Sequence, residues 1–408
     1  MGADGDGVAV GPGGAPLYLP GTLPGELVQP SALTRRGEGW AASAVVLEPN
    51  PDRVRPPCPH FGPCGGCTLQ HWRDEPYAAW KSASGADALR RAGADAPVGP
   101  PARTPPAARR RIDLAMERDG GACRIGLHRR RSREVVDMRA CPILHPALFA
   151  VVEALRPLLP RLRALRREGS AALNLLDSGP DLLLRTDAPL TSADRTLLAG
   201  FASVHGLPRV SWAPGAGPPE TAVLLRPAIT RFGETVVEVP PGAFLQASRE
   251  GEAAIAAAVL AALPERLPAK TRIVELYAGA GTLTHALAAR ARVLAFEGDP
   301  AAFAALRGTA NPRVQPTLRD LARQPLQAAE LRGAAAVVLD PPYAGAAAQM
   351  PALAASAVPV IYVSCNPAAL ARDARTLLRA GYRIAAATAI DQFLWSARVE
   401  SVIAFRKA

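Results

Sequence analysis

The stretch RIVELYAGAGT (residues 272–282) decides the fold of the C-terminal half. A short apolar run ends in two glycines, Gly279 and Gly281, and an alanine-rich helical segment follows: strand, tight turn, helix. The unit repeats downstream. VLAFE (293–297), AAVVLD (335–340), VIYVSC (360–365) and a final VIAF (402–405) alternate with Ala/Leu-rich segments. This alternation predicts an α/β domain with a largely parallel, doubly wound sheet. In such sheets ligands lie beyond the carboxyl ends of the strands, so the polar residues there are the candidates for function.

The first strand runs into a G-x-G turn against which a cofactor can lie, but the third glycine of a dinucleotide fingerprint is missing. S-adenosylmethionine therefore fits this turn better than NAD. The second strand ends in Glu297, sixteen residues after Gly281 and placed to accept hydrogen bonds from a ribose diol. The next candidate is Asp340, followed by Pro341 and Pro342, which fix the backbone and remove its donors. Cys365 stands between a strand and the proline-started segment at Asn366-Pro367, where the N-terminal field of a helix is expected to lower a thiol's pKa. Glu400 opens the last apolar strand and is a candidate base.

The N-terminal half is organised by cysteine. CPHFGPCGGC (58–67) supplies Cys58, Cys64 and Cys67, and Cys141-Pro142 follows after 73 intervening residues. Zinc sites present two tight pairs of ligands more often than three in one loop with a distant fourth. The asymmetry suits a [4Fe–4S] cluster, with zinc or no metal as the other readings. The Gly65-Gly66 pair is expected to let backbone N–H groups approach sulfur and to offer positive φ. RIDLAMERDGGACRIGLH (111–128) reads as a β-hairpin turning at residues 119–121, with Cys123 a buried structural thiol.

The chain has 408 residues and a net charge of +11, and only three of its 47 cations are lysine. Much of that surplus reads as arginine-rich composition. Between Arg103 and Arg139, however, eleven arginines face five acids, a local excess that points to a nucleic-acid partner. No apolar run approaches the roughly 18 residues of a membrane span. The acidic, Gly-rich N-terminus lacks the features of a secretory signal, so the expected location is cytoplasmic.

The cysteine run with its distant Cys-Pro, then Asp-Pro-Pro (340–342), Ser-Cys-Asn-Pro (364–367) and Val-Glu (399–400), together resemble the RNA 5-methyluridine methyltransferases, nearest the branch acting on 23S ribosomal RNA. The resemblance runs along nearly the whole chain. GADGDGVA (2–9) with LYLPGTLPGELV (17–28) is similar to a TRAM domain, a small OB-like RNA-binding barrel. The implied organisation is a TRAM-like barrel over residues 1–51, a central α+β iron–sulfur domain over 52–235, and a Rossmann-like, S-adenosylmethionine-dependent methyltransferase domain over 236–408. The resemblance implies a monomer acting on RNA, most closely 23S rRNA, with no membrane involvement. It makes Cys365 the nucleophile that adds to uracil C6 and Glu400 the acceptor of the C5 proton. Asp340 contacts cofactor and base, and Gln246 of AFLQ (243–246) matches a cofactor-binding Phe-x-Gln motif. Tyr277, Thr282 and Glu297 match further cofactor positions, with Asp320 at the adenine end. Cys58, Cys64, Cys67 and Cys141 become the cluster ligands.

Three places depart from the family pattern: Ala278 where a cysteine is usual, Tyr343 in place of arginine after Asp-Pro-Pro, and Leu394-Trp395-Ser396 in place of Pro-x-Thr. Asp-Pro-Pro-Tyr is also the signature of amino-methyltransferases. That gives a second reading, one that uses neither Cys365, Glu400 nor the four cysteines. A non-catalytic iron–sulfur RNA-binding protein is the third.

Overall fold

The computed structural model describes residues 1–268 and 270–407. Its largest sheet is built from β1 (Arg272–Leu276), β2 (Arg292–Glu297), β3 (Val314–Leu318), β4 (Ala334–Leu339), β5 (Val360–Ser364), β6 (Tyr382–Asp391) and β7 (Glu400–Lys407). The spatial order is β3-β2-β1-β4-β5-β7-β6, closed at the edge by the two-residue strand Ala102–Arg103. β1 to β5 pair in parallel, and β7 pairs antiparallel with both neighbours. Because β7 runs against the others, its first residue lies at the rim where the parallel strands end. One face packs Ile255, Val259 and Leu287 against Ile273, Val338 and Val363, and the other packs Leu353, Leu370 and Leu377 against Val274, Val337 and Tyr362.

The helix Asp74–Ala92 belongs to this second layer. Its Ala88, Leu89 and Ala92 join the core made by Leu370, Ala374 and Leu377 of the helix Pro367–Arg379. With the strand Ala102–Arg103, this brings residues 74–103 onto the catalytic sheet, although they fall within the segment expected to form the middle domain.

The middle of the chain forms a seven-stranded, mainly antiparallel sheet, which includes the anticipated hairpin of Arg111–Asp119 with Ala122–His128. The helices Pro146–Leu158 and Ser192–Val204 cover it through Leu148, Val152, Leu155, Leu198 and Phe201. Ahead of it, short strands between Gly7 and Glu48 enclose Leu17, Leu19 and Ala42. Asp6, fully buried, ties this N-terminal unit down by pairing with Arg36 (2.7 Å), Arg130 (2.6 Å) and Arg131 (3.2 Å). None of the described helices is long and apolar enough to cross a membrane.

Candidate active site

The turn after β1 is bent by Tyr277, Gly279 and Gly281, at φ of 63°, 58° and 105°. A Cβ at Gly281 would meet His285 Nε2 at 2.8 Å and Leu306 Cδ1 at 2.9 Å, so both the backbone angle and the space require glycine. Glu297 clamps this turn to the tip of β2. Its Oε2 accepts from Gly279 N and its Oε1 from Asp299 N, each at 2.6 Å. Beneath the turn Glu275 is buried with its Oε2 unpartnered, and burial, reinforced by Asp340 and Glu297, pushes its pKa up to about 8. Thr282 is half-buried in the same turn. Asp320, past β3, is exposed and caps its own turn, accepting from Ala322 N (3.0 Å) and Arg323 N (3.2 Å). Tyr277, Thr282, Glu297 and Asp320 thus gather around the tips of β1 to β3.

Cys365, Asp340, Glu400 and Gln246 form a second group, around the tips of β4, β5 and β7. Asn366 caps the helix Pro367–Arg379, its Oδ1 accepting from Ala368 N (3.0 Å), and its Nδ2 donates to Tyr343 O (2.8 Å). The helix field does not lower the Cys365 thiol. Burial, then the charges of Glu400 and Asp340, push it up to about 11, and Arg398 offsets only part of this. The expected depression is overturned because burial disfavours the thiolate, and the carboxylates beside the sulfur add to that.

Glu400 and Asp340 are both shifted upward by burial, Glu400 further by the charge of Asp340, so the two titrate as a pair. An amide relay joins them. Gln246 Nε2 donates to Asp340 Oδ2 (3.0 Å), and Gln392 Nε2 donates both to Gln246 Oε1 (2.8 Å) and to Glu400 Oε2 (2.7 Å). Glu400 is 4% exposed, and its Oε1 has no partner. Gln392 went unnoticed in the sequence, where a lone glutamine between Asp391 and Phe393 carries no signal.

The loop between β6 and β7 is held from outside the sheet. Asp391 accepts from Lys81 Nζ (2.8 Å) and Tyr77 Oη (2.6 Å), both on the helix Asp74–Ala92, and Lys81 also donates to the carbonyls of Phe393 (3.3 Å) and Arg398. Trp395, at φ 57°, donates its N–H to Tyr77 Oη (2.8 Å) and accepts from the N–H groups of Thr68 and Leu69, both at 2.9 Å. Leu394 is buried with Leu69, Trp72 and Tyr77. The unusual Leu394-Trp395-Ser396 sequence thereby fills an apolar knot beside the cysteine loop. The other departures lie nearby. Ala278 is buried in the sheet core, and Tyr343 is 55% exposed with the Arg398 guanidinium 4.9 Å from its ring centre.

Cys58, Cys64, Cys67 and Cys141 line one cavity, with Phe61, Leu127, Met138 and Ile143 among its walls. Burial raises the pKa of the Cys64, Cys67 and Cys141 thiols, that of Cys67 up to about 12, and neighbouring sulfurs add to each shift. Among the described residues, no group of three or more His, Cys, Asp or Glu side chains is disposed to hold a metal ion. The four sulfurs border a shared space and do not converge on one point. Gly66 N donates to Cys64 Sγ at 3.4 Å. Neither Gly65 nor Gly66 has positive φ. They are needed for closeness, since a Cβ at Gly65 would lie 2.8 Å from His128 O and one at Gly66 2.8 Å from Leu127 Cδ1. Cys123 is partly exposed and packs beside the middle core, away from this cavity.

The arginine excess between residues 103 and 139 is largely spent within the protein. Arg110 is buried against Glu252, Arg118 donates to the carbonyls of Leu159 (2.7 Å) and Leu162 (3.0 Å), and Arg129 pairs with Glu134 (2.7 Å). Arg130 and Arg131 bind Asp6, as above. Several arginines of this segment thus have partners within the protein, although Arg130 and Arg131 share one carboxylate and the Arg118 partners are neutral, so a positive excess is left.

Comparison with known proteins agrees with this geometry. The family model described as tRNA (uracil-5-)-methyltransferase matches residues 319–408. An uncharacterized RNA methyltransferase of Brucella melitensis is 39% identical over all of this chain and 96% of its own length. The 23S rRNA (uracil(1939)-C(5))-methyltransferase of Chromohalobacter salexigens is 34% identical, with 98% of this chain and 86% of that protein aligned. Among solved structures, the tRNA (uracil-54, C5)-methyltransferase of Pyrococcus abyssi, crystallised with S-adenosyl-L-homocysteine, has the same fold. Its TM-score is 0.73 at 20% identity, covering 98% of this chain and 97% of that one.

Proposed function

We propose, since the chain belongs to the RNA 5-methyluridine methyltransferase family, that it methylates C5 of a uridine in RNA, with 23S rRNA as the substrate, through a covalent adduct at Cys365. The observation that carries this reading is the meeting of a thiol, Cys365, and a carboxyl with a free buried oxygen, Glu400 Oε1, at the rim where β5 ends and β7 begins.

The residues around the turn after β1 fit S-adenosylmethionine: a glycine cradle that a Cβ would fill, the acid Glu297 at its edge, and the unpartnered Glu275 Oε2 below. Tyr277, Thr282, Glu297 and Asp320 would hold its nucleoside side, and Gln246 and Asp340 the side facing the base. Bound there, the cofactor supplies an electrophilic methyl group on a sulfonium sulfur. Uracil C5 is too weak a nucleophile to take that methyl unaided. Cys365, its thiol proton lost to water, adds to C6 through Sγ as thiolate, which places an enolate electron pair on C5. C5 takes the methyl group and the sulfonium leaves as a neutral thioether. Glu400 then accepts the C5 proton, and the electrons of that C–H bond expel Cys365 from C6 as thiolate. To enter the site the uridine must leave its stack, at a cost of a few kcal/mol.

The four-cysteine cavity fits a [4Fe–4S] cluster: four sulfurs border an apolar-walled space, and thiols that burial holds protonated need a cationic core to become ligands. Cys58, Cys64, Cys67 and Cys141 would ligate it. The N-terminal strands would serve as a TRAM-like RNA-binding barrel over residues 1–51, followed by the iron–sulfur domain over 52–235, whose residues 74–103 pack onto the large sheet, and the catalytic domain over 236–408. The chain would act as a monomer.

Incubation with 5-fluorouridine RNA and S-adenosylmethionine tests the chemistry, because fluorine at C5 cannot leave as a cation and traps the adduct. A denaturation-stable protein–RNA species that disappears in Cys365→Ala supports the reading. Full methylation by Cys365→Ala overturns it and returns the amine-directed reading of Asp-Pro-Pro-Tyr. Nucleoside mass spectrometry of rRNA and tRNA from a strain lacking the gene identifies which RNA loses 5-methyluridine.

A further inference from the structure

We infer that Gln392 is a positioning residue for the proton-transfer step: it fixes Glu400 so that Oε1 faces the C5 proton and couples that carboxyl to Gln246. The inference rests on the covalent uracil reading above and extends it to Gln392, between Asp391 and Phe393 at the start of the loop before β7.

The orientation of the Gln392 amide is set by the backbone. Its Oε1 accepts from Ala247 N at 3.0 Å, so its two Nε2 hydrogens must point the other way. One goes to Gln246 Oε1 and the other to Glu400 Oε2, at 2.8 and 2.7 Å. With its oxygen taken, Gln246 turns its own Nε2 to Asp340 Oδ2 at 3.0 Å. Every donor in the relay is an amide, so both carboxyls are approached at one oxygen only by N–H groups. Those oxygens are therefore acceptors in the resting site, and a proton arriving at Glu400 has one place to go, the unpartnered Oε1.

Packing holds the glutamine still. Gln392 is 4% exposed, and a Cβ at Gly251 would lie 2.7 Å from its own Cβ, so the helix Arg249–Ala262 lies flat against it only because residue 251 is glycine. The neighbouring Asp391 is held by Lys81 and Tyr77, which denies the backbone of residue 392 room to retreat. The charged and titratable groups facing Glu400 are Asp340 from β4 and Cys365 from β5, with Arg398 beyond the thiol. Both carboxyls disfavour ionisation of each other, and the Gln392 donor is what favours the carboxylate form of Glu400.

Addition of Cys365 requires loss of its thiol proton to water, and neither that step nor transfer of the methyl group uses Glu400 as base. Loss of the C5 proton does, and the C6–S bond breaks only once that proton has gone. A defect in positioning Glu400 therefore leaves the early steps intact and stalls the release of RNA.

The experiment compares the full-length wild type with Gln392→Leu, which keeps the bulk and removes the donors, on uridine RNA and on 5-fluorouridine RNA. The expected result for the variant is a fall in kcat of about 100-fold, the lower range for loss of a positioned base. KM for RNA should stay within about threefold, a covalent adduct should accumulate on ordinary uridine RNA, and the acidic limb of the kcat profile should move to higher pH. Adduct formation with 5-fluorouridine RNA should match the wild type. A kcat within about twofold of wild type with an unmoved pH limb overturns the role of Gln392. So does equal loss of 5-fluorouridine adduct and turnover, which would place the residue in cofactor or RNA binding. Failure of the wild type itself to form the 5-fluorouridine adduct overturns the underlying uracil reading instead. Should Gln392→Leu lose its folded circular-dichroism signal, Gln392→Asn, whose shorter amide cannot span from Ala247 N to Glu400, is judged by the same criteria.

Discussion

Lys81 Nζ stands 2.8 Å from Asp391 Oδ1 with both side chains fully buried, although 310 residues separate them along the chain. The ammonium also reaches the carbonyls of Phe393 and Arg398, so one cation gathers both ends of the loop between β6 and β7. Removing one partner of a buried pair leaves the other charged and unsolvated. Lys81→Met is therefore expected to destabilise the protein by about 3–5 kcal/mol. Chemical denaturation measures the loss, and hydrogen exchange should show faster exchange in residues 391–399 than in β1 or β4.

The raised pKa of Cys365 gives a reactivity prediction. In the free enzyme the thiol should be a slow nucleophile at pH 8, and its alkylation rate should climb about tenfold per pH unit up to its pKa of about 11. Glu400→Gln removes a negative neighbour, so the pKa falls and alkylation at fixed pH speeds up. Peptide mass spectrometry after timed iodoacetamide treatment reads the site separately from the other cysteines.

Cys67→Ser should abolish iron binding, from about four irons per chain to far fewer in anaerobically purified protein, with loss of the broad visible absorption. It should also slow turnover, because Thr68 and Leu69, the next two residues, hold Trp395 in the loop that carries Gln392 to Glu400. Iron analysis and kcat on the same preparation check both parts. Stoichiometric zinc in a colourless wild type would sink the cluster assignment.

Gly281→Ala places a methyl group 2.8 Å from His285 Nε2 at a φ of 105°, where side chains are strained. The turn has to shift, and the Glu297–Gly279 clamp with it. The expected outcome is at least a tenfold rise in the Kd for S-adenosylmethionine by calorimetry, with a smaller loss of stability from strain of about 1–3 kcal/mol.

The catalytic sheet was legible because β1, β2, β4, β5 and β7 are apolar runs that each adjoin a polar residue at the same rim, and periodicity carries that information locally. Spacing singled out Cys58, Cys64, Cys67 and Cys141, which border one cavity. What escaped depends on distant parts of the chain meeting. The strand Ala102–Arg103 is two residues long and has no pattern of its own. Lys81 reads as one more helix-surface cation until Asp391 arrives beside it. Gln392 becomes significant only when Ala247, Gln246 and Glu400 surround it. A linear count also misses internal partners, since Arg110, Arg118 and Arg130 look free in it and meet Glu252, backbone carbonyls and Asp6 once folded. The thiol was misjudged because a helix terminus is visible in sequence and desolvation is not.

The strand Ala102–Arg103 and the helix Asp74–Ala92 close the open edge of the large sheet and fill the groove on Pro367–Arg379. The reaction therefore cannot be carried off as a C-terminal fragment. A protein begun at residue 236 would keep every residue assigned to the methyl transfer itself, yet it would expose the backbone of β6, leave Asp391 without its cation and uncover a strip of leucines. Any exchange of the N-terminal half for another has to leave residues 74–103 with the methyl-transfer domain, so that the folding unit is discontinuous in the gene.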